Sequence, residues 1–175
     1  MTTLSRTTYP EVGATLAAEL PEGYGHLRLR HRLSERPYSV DELGRLGEQL
    51  LTWQVHRAAR VRIETSAPVA APGGLVTTLL GLGWLRLSEP CEIVWVEREE
   101  QRIGFGYGTL PGHAFVGEES FVLERDASGD VWFVVDAFSN PAAWWVSALR
   151  PLVPTFQRLY VAHLARAARR LLRDL

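Results

Sequence analysis

The stretch IGFGYGTLPGHAFVGEESFVLER, residues 103–125, decides how this chain is read. Gly104, Gly106 and Gly108 alternate with Phe105 and Tyr107, so both rings point to one side of an extended strand. The other side is bare, which suits close packing or a bulge. Pro111-Gly112 turns the chain and carries His113. In the strand that follows, Phe121 and Leu123 set the parity: Glu119 shares their side and Glu118 takes the opposite one. The pattern predicts two strands facing a cavity, with one imidazole and two carboxylates near its mouth.

Working outward, residues 91–97 pair with 103–110 around the charged turn 98–101. Residues 119–125 pair with 131–138 around Asp126-Ala127-Ser128-Gly129-Asp130. Upstream, 61–65 alternates, and the apolar run 75–87, with Gly81 and Gly83, reads as a bent strand or as two short pieces. Residues 26–33 place Leu27, Leu29 and Leu33 against Arg28, Arg30 and Arg32, a strand with one wet face. Ser39 and Glu42 form a capping box, and Leu43, Leu46, Leu50 and Trp53 make one buried stripe on the helix behind it. Gly44 and Gly47 suit a close approach there, and His56 falls opposite the stripe. At 100° per residue the C-terminal segment places Phe156, Tyr160, His163, Leu164, Ala167, Leu171 and Leu175 on one helical face. Arg158, Arg166, Arg169 and Arg173 take the other, and Pro151 and Pro154 suit the helix entry. The layout predicts an α+β fold, a curved antiparallel sheet wrapped on a long C-terminal helix. With no repeat and no long linker, residues 1–175 read as a single domain.

Bulk composition narrows the function classes. The chain has 175 residues, 46% hydrophobic and 22% charged, in the range of soluble globular proteins. Its net charge of −1 argues against a nucleic-acid partner. All 19 basic residues are arginine, so lysine Schiff bases, lysine general bases and a P-loop lysine are excluded. Cys91 is the only cysteine, which rules out an intramolecular disulfide and a cysteine-based zinc site and fits a reducing compartment. The first residues lack an apolar core of signal-peptide length, and no run is long enough for a membrane span. A cytoplasmic location is therefore expected.

The candidate chemistry centres on a few side chains. Trp53, Phe105, Tyr107, Phe121 and Trp132 either line a small-molecule site or fill the core. Tyr107 brings a hydroxyl that needs a partner when buried. An inward Glu119 has its pKa raised by desolvation, as a general acid or base requires, unless an arginine pairs with it. His113 and the two acids show no metal-ligand spacing, so no metal is expected and no cofactor is implied. His163 reads as a hydrogen-bonded core or cavity histidine. Ser120, Ser139 and Cys91 lack the context of an activated nucleophile, and the glycines at 104–108 sit in a strand rather than a phosphate loop. The arginine faces either bind phosphates or are solvated.

Several stretches carry a resemblance: Tyr9-Pro10-Glu11-Val12-Gly13-Ala14-Thr15, Trp53 with His56, Pro90-Cys91, residues 104–113, Gly117-Glu118-Glu119-Ser120-Phe121, and Ala137-Phe138-Ser139-Asn140-Pro141. Over nearly its whole length the chain resembles a family of bacteria and plants known as a domain of unknown function. Asn140 stands where that family commonly carries arginine. In order of elements alone, the chain is similar to the helix-grip fold of the START and Bet v 1-like superfamily. There a seven-stranded sheet grips a C-terminal helix and leaves an apolar cavity. That similarity implies a lipid, polyketide-like or other apolar ligand. On the residue reading the ligand is small and apolar or amphipathic, with the five aromatics above lining its cavity and His113 and Glu119 as polar anchors. The alternatives are a cofactor-independent hydrolase, cyclase or isomerase, or a non-catalytic interaction module. The enzyme would use Glu119 or His113 as acid–base group with Tyr107 as hydrogen-bond donor. The interaction module would use the arginine face of the last helix.

Overall fold

The computed structural model describes residues 6–17, 20–82, 85–149 and 151–175, with side-chain environments outside 80–86. Its sheet has seven strands: β1 (Gly25–Arg32), β2 (Arg62–Thr65), β3 (Leu75–Leu82), β4 (Leu85–Glu99), β5 (Arg102–Thr109), β6 (Phe115–Arg125) and β7 (Val131–Pro141). Every neighbouring pair is antiparallel, in the order β1-β7-β6-β5-β4-β3-β2. The run at 75–87 is thus shared by two strands, β3 and β4, with Leu82 paired to Leu85. Four helices complete the fold: α1 (Val40–Leu51), α2 (Gln54–Ala58), α3 (Trp144–Ala148) and α4 (Val153–Arg173).

The local signals at the start of α1 act as expected. The Ser39 side chain accepts from the Glu42 backbone N–H, and the Glu42 carboxylate accepts from the Ser39 N–H at 2.8 Å. Gly47 packs directly on Ile103 of β5, whereas Gly44 faces open space. The helix stops at Trp53, whose backbone adopts φ 66°, a left-handed conformation rare for a bulky residue. Burial of its indole holds it there. That break re-aims the chain into α2 and turns His56 inward, so His56 is buried rather than opposite the apolar stripe.

The concave face of the sheet carries Leu27, Ile93, Phe105, Tyr107, Phe121, Leu123, Phe133, Val135 and Ala137. Against them pack Leu43, Leu46 and Leu50 of α1, Val55 of α2, and Val161, Leu164, Ala165, Ala167, Ala168 and Leu172 of α4. The alanines let the helix lie close to its neighbours. The buried stripe of α4 is therefore rotated from the predicted one. Phe156 and His163 are exposed, and burial of α4 begins at Val161. Its first two turns, residues 153–160, bury no side chain fully.

On the convex face the β1 arginines are engaged within the sheet. Arg28 pairs with Asp136 at 3.4 Å, Arg32 with Asp130 at 2.7 Å, and the Arg30 guanidinium lies 3.9 Å over the Trp132 ring. No helix among the described residues is long and apolar enough to cross a membrane.

Candidate functional site at the open end of the grip

Glu118 and Glu119 are adjacent on β6 and face opposite sides of the sheet, as parity requires. The cross-strand row Leu27–Ala137–Glu119–Tyr107–Ile93 runs over the concave face. Within it the Tyr107 hydroxyl donates to Glu119 Oε2 at 2.9 Å. The next row inward holds Phe121 and Phe105, both fully buried and 5.6 Å apart between ring centroids. Trp53 lies 5.2 Å from Phe105, and His56 lies 5.4 Å from Phe121. The three rings Trp53, Phe105 and Phe121 fill the grip instead of lining an empty space. Among the described residues an open concavity lies elsewhere. It is an open groove of about 510 Å³ between α1 and the β4–β5 turn, touching Val40, Gly44, Arg45, Glu48, Arg98 and Ile103.

Trp132 is corrected from the predicted set. Val131 and Phe133 point into the core, so strand alternation sends Trp132 to the convex face. There its indole N–H donates to Asp126 at 2.9 Å.

The titratable groups collect where α4 is least buried. Burial pushes Glu119 up to about 7, against the Tyr107 hydrogen bond and the nearby His113, which pull it down. Burial likewise pushes Tyr107 and Tyr160 well above the usual phenol range, and the Glu119 charge adds to both. Cys91 is raised by burial first, then by Glu119 and Glu89 on either side of it. His113 Nδ1 accepts from the Phe115 N–H at 2.9 Å and stands 2.9 Å from Glu89 Oε2. Glu89 Oε2 also accepts from the Ala114 N–H, while Oε1 is buried with no hydrogen-bond partner among the described residues. Glu119 and His113 thus lie within electrostatic reach of one another. No arginine pairs with Glu119 among the described residues. Glu119, His113 and Tyr160 are each only half-buried.

Two of these groups were not singled out beforehand. Glu89 is buried on the same side of β4 as Cys91, a parity legible once Cys91 is placed inward. Tyr160 sits one turn beyond Phe156, stacked on it at 6.4 Å.

Glu118 has a different environment. A strap of residues 7–16, closing in a short 3-10 turn at Ala14–Leu16, crosses the convex face. It supplies the Tyr9 hydroxyl at 2.6 Å, the Gly13 N–H at 2.7 Å, the Thr15 N–H at 2.9 Å and the Thr15 hydroxyl to the Glu118 carboxylate. The Trp95 indole donates to Thr15 Oγ1 at 2.9 Å and reaches Glu118 at 3.4 Å. The bare strand glycines make room for this: Trp95 lies on Gly106, and Tyr9 with Thr7 lies on Gly108. A register shift in β4 between Ile93 and Trp95 turns that indole toward the strap.

Residues 8–167 match the family model described as a domain of unknown function, DUF1990. The chain belongs to this family. The UPF0548 protein of Deinococcus radiodurans is 34% identical over 173 residues, covering 91% of this chain and 84% of its own length. Among solved structures, TTHA0849 from Thermus thermophilus has a TM-score of 0.60 at 15% identity, covering 86% of this chain and 98% of that one. Norcoclaurine synthase from Thalictrum flavum, solved in complex with dopamine and hydroxybenzaldehyde, has a TM-score of 0.59 at 12% identity, covering 86% and 88%. The fold is the helix-grip of Bet v 1-like proteins. In this DUF1990 chain the stretches 9–15, 104–113 and 117–121, which carried the resemblance, meet across the sheet. The convex side of their junction is the Glu118 strap, and the concave side is the Tyr107–Glu119 pair.

Proposed function

We propose that the protein binds a small amphipathic molecule at the open end of the grip, between β4–β6 and the first turns of α4. The polar end of the ligand meets Glu119, Tyr107 and His113, and its apolar body lies against the exposed start of α4. The observation that carries this reading is Glu119: a half-buried carboxylate in a core row, with Tyr107 as its hydrogen-bond donor and no arginine paired with it among the described residues. A carboxyl raised toward neutrality by its surroundings at a partly open position is a candidate for a binding or acid–base role. The complex of a protein of like fold with two small aromatic molecules supports the reading by analogy.

Native mass spectrometry of protein purified gently from its host, followed by solvent extraction, tests it. The expected result is a reproducible small-molecule adduct that is lost on denaturation. A clean apo mass that stays unchanged after incubation with a host metabolite and lipid extract would count against it.

One observation favours a second reading, cofactor-independent acid–base catalysis on the same residues. A carboxyl group near 7 beside an imidazole is poised to move protons at neutral pH. Glu119→Gln separates the two. It abolishes turnover of the extracted molecule if Glu119 is the acid–base group, and changes affinity modestly if the site only binds.

A further inference from the structure

The segment from α3 to the first turns of α4 inverts the usual rule for a surface. Trp144 is 83% exposed, Leu152 64%, Leu159 63% and Phe156 55%, with Leu149 and Trp145 beside them along the chain. These side chains are not scattered. The Leu152 N–H bonds to the Leu149 carbonyl and the Phe156 N–H to that of Leu152, so they stand on successive turns. At 100° per residue, Leu152, Phe156, Leu159, His163, Arg166, Arg170 and Arg173 form one stripe along α4, and every member is exposed. The stripe is apolar at its N-terminal end and cationic toward its C-terminal end.

The charge pattern says what covers it. From Ala142 to Arg173 there is no aspartate or glutamate, and there are six arginines: Arg150, Arg158, Arg166, Arg169, Arg170 and Arg173. Arg173 is committed to Glu35, and Arg169 and Arg170 to the backbone carbonyls of Arg32 and Ala58. Arg158 and Arg166 form no ion pair among the described residues. A second protein with an apolar patch would satisfy the leucines but not a surface of one sign. An anionic bilayer offers both: acyl chains for Trp144, Leu152, Phe156 and Leu159, and headgroup phosphates for Arg158 and Arg166. Exposed tryptophan at the boundary of such a surface suits the interfacial layer, where its ring is half apolar and its N–H is wet.

We infer that the exposed apolar side chains of 144–149 and 152–159 dock the protein on an anionic phospholipid surface, with that lip inserted and Arg158 and Arg166 on the phosphates. This is a peripheral contact; it shares the exposed start of α4 with the ligand reading above but uses none of Glu119, Tyr107 and His113, so the substitutions below leave those polar anchors in place.

Co-flotation with vesicles tests it, using phosphatidylcholine alone and phosphatidylcholine mixed equally with phosphatidylglycerol. The full chain is expected to float with the mixed vesicles and not with phosphatidylcholine alone, with a blue shift of tryptophan emission. Phe156→Asp combined with Leu152→Asp should abolish flotation. Arg158→Gln combined with Arg166→Gln should lower the partition coefficient roughly 30-fold at low salt, at about 1 kcal/mol per arginine. All four positions are exposed, so circular dichroism should be unchanged in each variant. The proposal is overturned if the chain ignores mixed vesicles at low salt, or if the Asp variant floats as well as the parent. It is also overturned if light scattering shows a dimer that the Asp variant dissociates, since the lip would then be occupied by a second copy.

Discussion

Glu118 and Glu119 are neighbours in sequence, and the two sides of the sheet treat them in opposite ways. On the convex side Glu118 meets five donor groups, four from the strap (Tyr9, Gly13 and Thr15) and the Trp95 indole of β4. On the concave side the one donor to Glu119 among the described residues is Tyr107, beside the half-buried His113 and Tyr160. A carboxylate accepts as many as four hydrogen bonds, so one is saturated and the other is not. Saturation marks a group that holds the fold. An unfilled acceptor under a half-covered opening marks a group left available.

The most disruptive way to break this contrast is Glu118→Ala. It strands several buried donors at once, and the expected loss is about 3–5 kcal/mol of unfolding free energy, measured by urea titration. A Glu118 variant as stable as the parent would mean that the strap is ornamental. Gly106→Ala acts on the same side by a different route: its methyl meets the Trp95 indole, with an expected cost of about 1–3 kcal/mol.

Glu119→Gln sharpens the other half. Because burial raises the folded carboxyl to about 7, the unfolded chain releases this proton near its ordinary value, well below the folded one. The stability held by the protonated form is complete below about 4.5 and is lost as pH rises through about 7. The glutamine variant therefore gains on the parent across that window, by about 1–2 kcal/mol once the solvent at Glu119 is allowed for. His56, which burial lowers to about 4, slopes the other way. Its contribution is lost as pH falls from about 6.5 through 4, so in the parent the two opposing slopes partly cancel. In Glu119→Gln the His56 slope is no longer opposed by Glu119, and thermal melts of parent and variant at several pH values read the difference. A flat difference between parent and variant would remove the raised carboxyl from the account. The smallest effect belongs to Phe156→Asp, which should change stability in solution by less than about 0.5 kcal/mol, because that ring is more than half exposed and its stacking partner Tyr160 is itself only partly buried.

Much of this was legible beforehand because strand parity is a strict rule. Phe121 and Leu123 were enough to separate Glu118 from Glu119, and Leu27 with Arg28 were enough to orient β1. Rules tied to periodicity failed where periodicity was weak. Trp132 was grouped with the cavity aromatics by residue type alone, although its neighbours Val131 and Phe133 already fixed its side. The α4 stripe was drawn through Phe156 because that ring is large and apolar, yet alanines at 165, 167 and 168 mark where the helix presses closest to its neighbours. The strap was not legible at all. Its partners lie 103 to 109 positions away in the chain, and a run such as Tyr9 to Thr15 has no period to betray a contact that distant.

That distance has a consequence for how the molecule assembles. Residues 9–15 leave the ribosome long before Glu118 does, and their docking surface exists only once β4, β5 and β6 have paired. The strap is therefore made early and seated late, and its closure waits on the slowest kind of contact, the non-local one. Until then Gly108 and the Glu118 carboxylate lie uncovered on the convex face. A side chain that ends among five donors therefore spends the assembly of the sheet in water and gives up that hydration only at the last step.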